Sequence, residues 1–260
     1  LKYRDIEYSE KDFYTTSGRA MLSRAFTSYF EEGGFPQFLE NNNKEYLKSL
    51  FESIMYKDVM VRNKLTNERE IMELMRYLAS NIAKLTSYNS LSSVIGVKSS
   101  TTVKNYIDFV ENTYMIFQTN KFDYSLKKQL HNHKKIYFID NALVRKLGFS
   151  FSEKNGRLLE NLIFVHLRRL CKEVYYHHKN VECDFIIREN NVISHAIQVC
   201  FNLESDETRK REIQGLLEVM QLYNLEEGTI ITMNEEQEII VDAKTIKIVS
   251  AWKWLLNSSI

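Results

Sequence analysis

The first part of the chain has apolar residues at the three- and four-residue spacing of amphipathic helices. Residues 17–39 predict a helix that is broken by a sharp turn at Gly33, Gly34 and Pro36, since Gly and Pro interrupt regular structure. Residues 68–85 predict a second helix with a single apolar face. That face consists of Ile71, Leu74, Met75, Leu78, Ile82 and Leu85. We therefore expect an all-helical segment at the start of the chain.

The next pattern predicts a different arrangement. A short apolar helix at 91–95 is followed by a polar turn at 96–100 and a longer helix at 101–114. Two alternating segments, 115–122 and 135–139, then flank a basic loop, which predicts a β-hairpin. This order is typical of a winged helix-turn-helix.

The last third of the chain predicts an α/β sandwich around a mixed sheet. The predicted order is a helix at 157–170, strands at 173–177, 182–188 and 192–201, a helix at 204–223, a strand at 228–233, and a last strand and helix. The fold class of the whole chain is therefore expected to be α+β.

Charge is unevenly distributed along the chain, although the net charge is only +1. Residues 98–146 contain nine Lys or Arg against four Asp or Glu, whereas residues 204–242 contain eleven acids against three bases. The basic stretch could meet a polyanion such as DNA. The alternative is that the two stretches are solvated faces of opposite sign.

Cysteine usage and hydropathy restrict the cellular location. The three cysteines form no CxxC or Cys/His zinc pattern, which favours a reducing compartment. No apolar run approaches the length of about 18–20 residues needed to span a bilayer. We expect a cytoplasmic protein that does not contact a membrane. The chain begins at Leu1 in mid-pattern, which predicts that it is part of a longer protein.

One constellation of residues in the last third resembles a nuclease site. Metal-dependent phosphodiester hydrolysis needs oxygen ligands for Mg²⁺ and a cation beside them. Glu160 on the predicted helix, Asp184 on the second strand and Gln198 on the third follow the order of ligands in PD-(D/E)XK nucleases. This resemblance implies a restriction-endonuclease-like domain, with Glu160 and Asp184 as candidate ligands of Mg²⁺.

The resemblance fails at the position of the catalytic lysine, where Cys200 stands. A cysteine supplies no permanent positive charge, so another residue would have to replace the lysine. The candidates are Arg188, Arg209 and Lys210. Without such a cation, Glu160, Asp184, Gln198 and Cys200 form a degenerate site, and we expect the domain to bind without cleaving.

A wider resemblance covers almost the whole chain. The matching stretches are residues 29–36, 56–59, 87–91, 101–106, 124–129, 137–140, 156–161 and 182–200. Together they resemble the C-terminal half of a group of prokaryotic AAA-type ATPases. The resemblance implies an N-terminal P-loop domain outside this chain that binds ATP. It further implies a lid tail at 1–42, a helical and winged-helix domain at 43–148, and a nuclease-like α/β domain at 149–260.

Two functions follow from these expectations. The first is a regulatory or binding module of the ATPase, with its own ATPase domain and DNA as candidate partners. If it binds DNA, the residues that face a groove are Thr101, Thr102, Lys104 and Asn105. The lysines that contact phosphates are Lys121, Lys127, Lys128, Lys134 and Lys135, and Lys98 is a further nucleic-acid-binding candidate. The alternative is a winged helix that packs only against the ATPase.

The second function is a Mg²⁺- or Mn²⁺-dependent nuclease that is coupled to ATP hydrolysis in the full-length protein. A third hypothesis is assembly into a homo-oligomer through the acidic stretch or the terminal helix. The pattern does not distinguish DNA, RNA and protein as ligands.

Overall fold

The computed structural model describes residues 5–41, 43–149, 155–170 and 173–257. The helices in this part of the chain are α1 (Thr16–Glu32), α2 (Pro36–Asn41), α3 (Lys44–Ser53), α4 (Glu68–Ser80), α5 (Tyr88–Val94), α6 (Ser100–Glu111), α7 (Leu126–His131), α8 (Asn141–Leu147), α9 (Asn155–Leu170), α10 (Asp206–Leu222) and α11 (Ala251–Asn257). The strands are β1 (Ile116–Asn120), β2 (Lys134–Phe138), β3 (Val174–His178), β4 (Glu182–Glu189), β5 (Val192–Val199), β6 (Glu227–Thr232), β7 (Gln237–Val241) and β8 (Lys244–Ser250).

The chain divides into two compact units. The central unit comprises residues 32–157, and the sheet unit comprises the residues up to Glu31 together with those from Leu158 onward. The predicted α+β class is confirmed, with helices first and the larger sheet last.

The central unit contains the helix pair and the hairpin that the sequence predicts. The α5 and α6 helices are joined by a turn in which Gly96 has a φ of +71°. The β1 and β2 strands pair antiparallel, and Thr86 forms a bridge with Lys134 that extends this small sheet. The basic loop of the hairpin contains α7, which the sequence did not reveal, because a six-residue helix is too short for a periodic pattern.

The Gly33-Gly34 turn is explained by its contact with Asp140. Gly33 has a φ of +79°, and a Cβ at this position would clash with the Asp140 carboxylate. The Gly34 N–H donates to Oδ2 of Asp140 at 2.7 Å, while Oδ1 accepts from Ala142 N–H at 2.7 Å and caps α8. The paired glycines therefore allow one carboxylate to bind the turn and a helix N-terminus together.

The sheet unit is built on one six-stranded mixed sheet in the order β3-β4-β5-β6-β8-β7. The β5–β6 and β6–β8 pairs are parallel, and the other neighbours are antiparallel. The α10 helix buries Leu216 and Met220 in a cluster with Ile186 of β4, whereas the adjacent Phe185 contacts Phe164 of α9. Because neighbouring strand residues point to opposite faces, α9 and α10 cover the two faces of the sheet.

The strand β7 was not expected. The sequence predicts one strand after β6, but the chain forms a β7–β8 hairpin. Its turn residues Asp242 and Ala243 both have positive φ values, 50° and 61°. Alanine rarely adopts this conformation, so the sequence lacks the Asn-Gly or Asp-Gly signal that identifies such hairpins.

Residues 5–31 group with the sheet unit, and the resemblance implies that residues 1–42 are a lid tail. The Phe13 ring packs 5.7 Å from that of Trp252, and Phe30 packs 6.2 Å from Phe201. Hydrophobic periodicity shows that α1 has a buried face but not which distant residues cover it. The sequence pattern predicts a linker between domains at residues 148–155, of which residues 150–154 lie outside the described residues.

In the described part of the chain, no helix combines the length and the apolar character that crossing a membrane requires.

Glu236 holds several parts of the sheet unit together. Its carboxylate accepts from Arg19 at 3.0 Å, Ser250 at 2.8 Å and Lys253 at 3.0 Å. Burial by itself raises the pKa of Glu236, but the hydrogen bonds from Ser250 and Lys253 and the nearby positive charges outweigh it and lower the pKa below 4.5. A lowered carboxyl pKa stabilises the fold above the ordinary pKa, and this stability is lost as the pH falls through the folded-state value.

We expect Glu236→Gln to lower the free energy of unfolding at neutral pH by about 1–2 kcal/mol, because the charged hydrogen bonds to Arg19 and Lys253 are weakened. Urea unfolding measured across the acidic range should show that the difference from wild type shrinks as the pH falls below 4.5. The matched control is Glu226→Gln at an exposed position. An equal loss in both variants, or a difference that does not change with pH, would contradict this role.

Candidate functional site

The strands β4 and β5 separate at one end, and polar residues fill the gap. The β4–β5 ladder runs from Glu189 and Val192 to Phe185 and Ile197, whereas β4 continues to pair with β3 as far as Glu182. We call the gap beyond Phe185 and Ile197 the fork. Across the same stretch the β3–β4 register shifts by one residue, which indicates a β-bulge around Asp184. Bulges of this kind redirect side chains and end strand pairing.

Asp184 and Gln198 bridge the fork with their side chains. The Asp184 backbone N–H donates to Oε1 of Gln198 at 3.0 Å, and the Val199 backbone N–H donates to Oδ2 of Asp184 at 3.0 Å. Both side chains are buried, with 5% and 8% of their residue surface exposed. These bonds satisfy backbone N–H groups that a continued ladder would otherwise have paired.

Glu212 on α10 is a third member of this network, which the sequence pattern had not indicated. The Gln198 side-chain NH₂ donates to Oε2 of Glu212 at 2.7 Å, and Arg211 forms an ion pair with Oε1 at 2.6 Å. Glu212 lies four residues before Leu216, on the buried face of α10. An acid in line with an apolar stripe was the signal that could have identified it.

Cys200 lies close to the fork but does not carry a charge at neutral pH. Burial raises the pKa of its thiol to about 11, and the negative charge of Glu212 adds to this effect. Its Sγ donates to the carbonyl of Asn202 at 2.9 Å. The thiol is thus a neutral donor and replaces neither the charge nor the reach of a lysine.

Two of the three cations that could replace the lysine have other contacts. Arg188 binds Glu173 at 3.0 Å and also Asn191, and Arg209 binds Gln237. Lys210 is exposed on α10. Arg211 is the cation that this network contains, and it is paired with Glu212.

The candidate Mg²⁺ ligands Glu160 and Asp184 are both buried. Glu160 lies on α9 with 7% of its surface exposed. Among the described residues, however, no three His, Cys, Asp or Glu side chains are grouped so that they could hold a metal. Oε1 of Gln198 and Oδ2 of Asp184 already accept backbone N–H groups. An Mg²⁺ ion that used these two oxygens would share them with the backbone N–H groups.

The candidate nucleic-acid residues of the central unit separate into exposed and buried sets. Lys98, Thr101, Lys104 and Asn105 are exposed at the start of α6, and Thr102 is half-buried there. Lys127 and Lys128 are exposed on α7. These residues have the accessibility that phosphate or base contacts require.

Lys134 and Lys135 differ from that expectation, because both are buried in β2, with 6% and 2% of their surface exposed. The Lys134 Nζ donates to Oδ1 of Asn120 and to the carbonyl of Gln129, each at 2.6 Å. Burial lowers the pKa of Lys134, and the charge of Lys104 lowers it further. Lys134 therefore stabilises the loop between β1 and β2 through these two hydrogen bonds. Its charge lies near that of Lys104.

The described part of the chain is an α+β protein with two units, a helix pair with a hairpin and a mixed sheet with a polar fork. A family model described as a domain of unknown function (DUF8612) matches residues 23–154, just over half of the chain. The chain belongs to this family.

Two relatives support the family relationship. Uncharacterized protein MJ1544 of Methanocaldococcus jannaschii is 33% identical over 276 residues, covering 99% of this chain and 60% of that protein. An uncharacterized protein of Haemophilus influenzae is 24% identical over 249 residues, covering 91% of this chain and 59% of that protein. The chain thus spans about 60% of the length of the relatives it matches.

We expect Gln198→Glu to destabilise the sheet unit by at least about 2 kcal/mol at neutral pH. A carboxylate would lose the donor to Glu212 and would lie within hydrogen-bond distance of that second negative charge. The loss should be smaller at mildly acidic pH, where one of the two carboxyl groups can take up a proton and donate. The measurement is urea unfolding at two pH values, with Gln214→Glu on the exposed side of α10 as the control. If Gln198→Glu has the same free energy of unfolding as wild type, the hydrogen bonds of the Gln198 amide do not stabilise the sheet unit.

Proposed function

We propose that the chain is a noncatalytic nucleic-acid-binding module of an AAA-type ATPase. The observation that carries the proposal is the exposed basic surface at the start of α6, where Lys98 and Lys104 lie beside Thr101 and Asn105. Lys104 is also close enough to Lys134 for its charge to lower the pKa of that residue. Such a concentration of positive charge attracts a phosphate backbone and is weakened by salt.

We infer that the central unit is a winged helix-turn-helix. The order of α5, turn, α6 and the β1–β2 hairpin supports this, as does the Thr86 bridge that adds a third short segment to the hairpin. In this fold the second helix of the pair enters the major groove with its N-terminal residues toward the bases. Thr101, Thr102 and Asn105 would then face the bases, and Lys98 and Lys104 the phosphates.

We infer further that the sheet unit has a PD-(D/E)XK nuclease-like fold whose site no longer cleaves. The support is the order of α9, β3, β4, β5, α10 and β6, with Asp184 and Gln198 meeting where two strands separate. The neutral Cys200 thiol and the Gln198 amide, which is hydrogen-bonded on both sides, argue against hydrolysis. Loss of the cation removes the electrostatic stabilisation of a pentavalent phosphate.

The ATPase part of the proposal depends on the resemblance of the sequence and on the length of the relatives. Both relatives extend beyond the part that matches this chain, so they have room for a further domain. A P-loop domain there would bind ATP, and this chain would couple its turnover to a bound nucleic acid.

We expect Lys104→Gln to weaken duplex DNA binding and to reduce the slope of log Kd against log salt by about one, because one phosphate contact is lost. Fluorescence anisotropy with a labelled duplex at several salt concentrations measures both quantities. The control is Lys48→Gln, an exposed lysine on α3. Binding that is absent at low salt, or that changes equally in the two variants, would contradict the proposal.

The same mixtures of protein and labelled duplex also test the alternative that the chain is a nuclease. With Mg²⁺ or Mn²⁺ added, the DNA should remain intact. Metal-dependent cleavage that both Asp184→Ala and Glu160→Ala abolish would instead establish a nuclease.

A further inference from the structure

The connection between β1 and β2 exposes three large apolar side chains. Tyr124 is 88% exposed, Leu126 68% and Leu130 62%. Leu126 and Leu130 are four residues apart on α7 and therefore share a face of the helix, and Tyr124 lies two residues before the helix begins. We call these three residues the α7 face. Single exposed apolar residues are common on proteins, but three on one short segment indicate a binding surface.

The segment that carries the α7 face is held in place by hydrogen bonds. The Asp123 carboxylate accepts the Ser125 N–H at 2.9 Å, and the Asp123 carbonyl accepts from the Gln129 side chain at 2.6 Å. The Gln129 carbonyl accepts from Lys134 at 2.6 Å. The face is therefore organised before any ligand binds, which reduces the entropy lost on binding.

The Tyr124 ring also packs against a buried aromatic ring. The buried Phe122 ring meets it edge-on, with the centroids 5.2 Å apart at 77°. Such edge-to-face packing fixes the orientation of the exposed ring and leaves a face of it open to solvent. A fixed and accessible aromatic ring is the platform on which an unstacked base binds.

The charge around the α7 face selects the class of ligand. Residues 121–135 contain five lysines and one aspartate. Lys134 and Lys135 are buried in β2, whereas Lys127 and Lys128 are exposed on α7, between the two leucines in sequence. An aromatic platform interleaved with lysines matches a ligand that offers both flat bases and phosphates. A duplex offers its phosphates but keeps its bases stacked, so a single strand suits this surface better.

We propose that the α7 face binds unpaired bases, so that the chain prefers single-stranded or locally opened nucleic acid over intact duplex. The Tyr124 ring stacks on a base, Leu126 and Leu130 cover its apolar edge, and Lys127 and Lys128 contact the flanking phosphates. This inference rests on the proposed nucleic-acid-binding function and specifies its ligand.

The test compares three labelled DNA ligands of one sequence at fixed salt: a single strand, a duplex with an unpaired central bubble, and an intact duplex. Wild type should bind the first two roughly tenfold more tightly than the third, since stacking on one base contributes about one such factor. Tyr124→Ala should remove most of this preference and leave duplex affinity within about twofold of wild type. Tyr124→Phe keeps the ring and should keep the preference. Tyr114→Ala, at a position that is 71% exposed, is the matched control.

The outcomes separate this inference from the function on which it rests. If Lys104→Gln weakens binding but Tyr124→Ala binds every ligand as wild type does, the chain binds nucleic acid and the α7 face does not contact bases. Equal affinity of wild type for single strand and duplex would also overturn the inference. If wild type binds none of the three ligands, the proposed function is wrong as well, and a protein would be the partner to seek on the α7 face.

Discussion

The polar interior of the sheet unit depends on one side-chain amide, that of Gln198. Its oxygen accepts the Asp184 backbone N–H, and its nitrogen donates to Glu212, so one residue connects two strands and a helix. A glutamate at this position could not donate, and a lysine could not accept. A buried polar group without a hydrogen-bond partner lowers the stability of the fold by about 1–3 kcal/mol. Removal of the amide would leave the Asp184 N–H and the Glu212 carboxylate each without this partner.

This constraint also limits the chemistry of the fork. A carboxylate that is free to bind a metal, with a cation beside it, is what hydrolysis of a phosphodiester requires. Here one oxygen of Asp184 accepts the Val199 N–H, Gln198 has hydrogen-bond partners on both sides, and Arg211 is paired with Glu212. The described contacts of the fork are those of a structural network, and exposed lysines lie at the start of α6 and on α7. This distribution supports the proposed binding role over the catalytic alternative.

The sequence predicted most elements because their signals are local. The apolar stripe of α4 was read correctly as far as Leu78, although the helix ends at Ser80 and not at residue 85. The strands β4 and β5 lie where they were predicted, and Asp184 and Gln198 meet as expected. The sequence pattern does not show which residues distant along the chain contact each other. Glu212 becomes part of the site only through tertiary packing, and the first 31 residues join the sheet unit through contacts such as Phe13 with Trp252. Lys134 and Lys135 looked like surface lysines because composition does not show that β2 is buried.

Among the described residues the fork is a hydrogen-bond network, and we propose that it holds no metal ion. Titration with Mn²⁺, followed by the electron paramagnetic resonance signal of the free ion, tests it most directly. Wild type and the isosteric Asp184→Asn variant should deplete free Mn²⁺ equally and only weakly, because Asp184 already accepts the Val199 N–H and, among the described residues, no group of three ligands surrounds it. One equivalent of tightly bound Mn²⁺ in wild type that is lost in Asp184→Asn would contradict the claim.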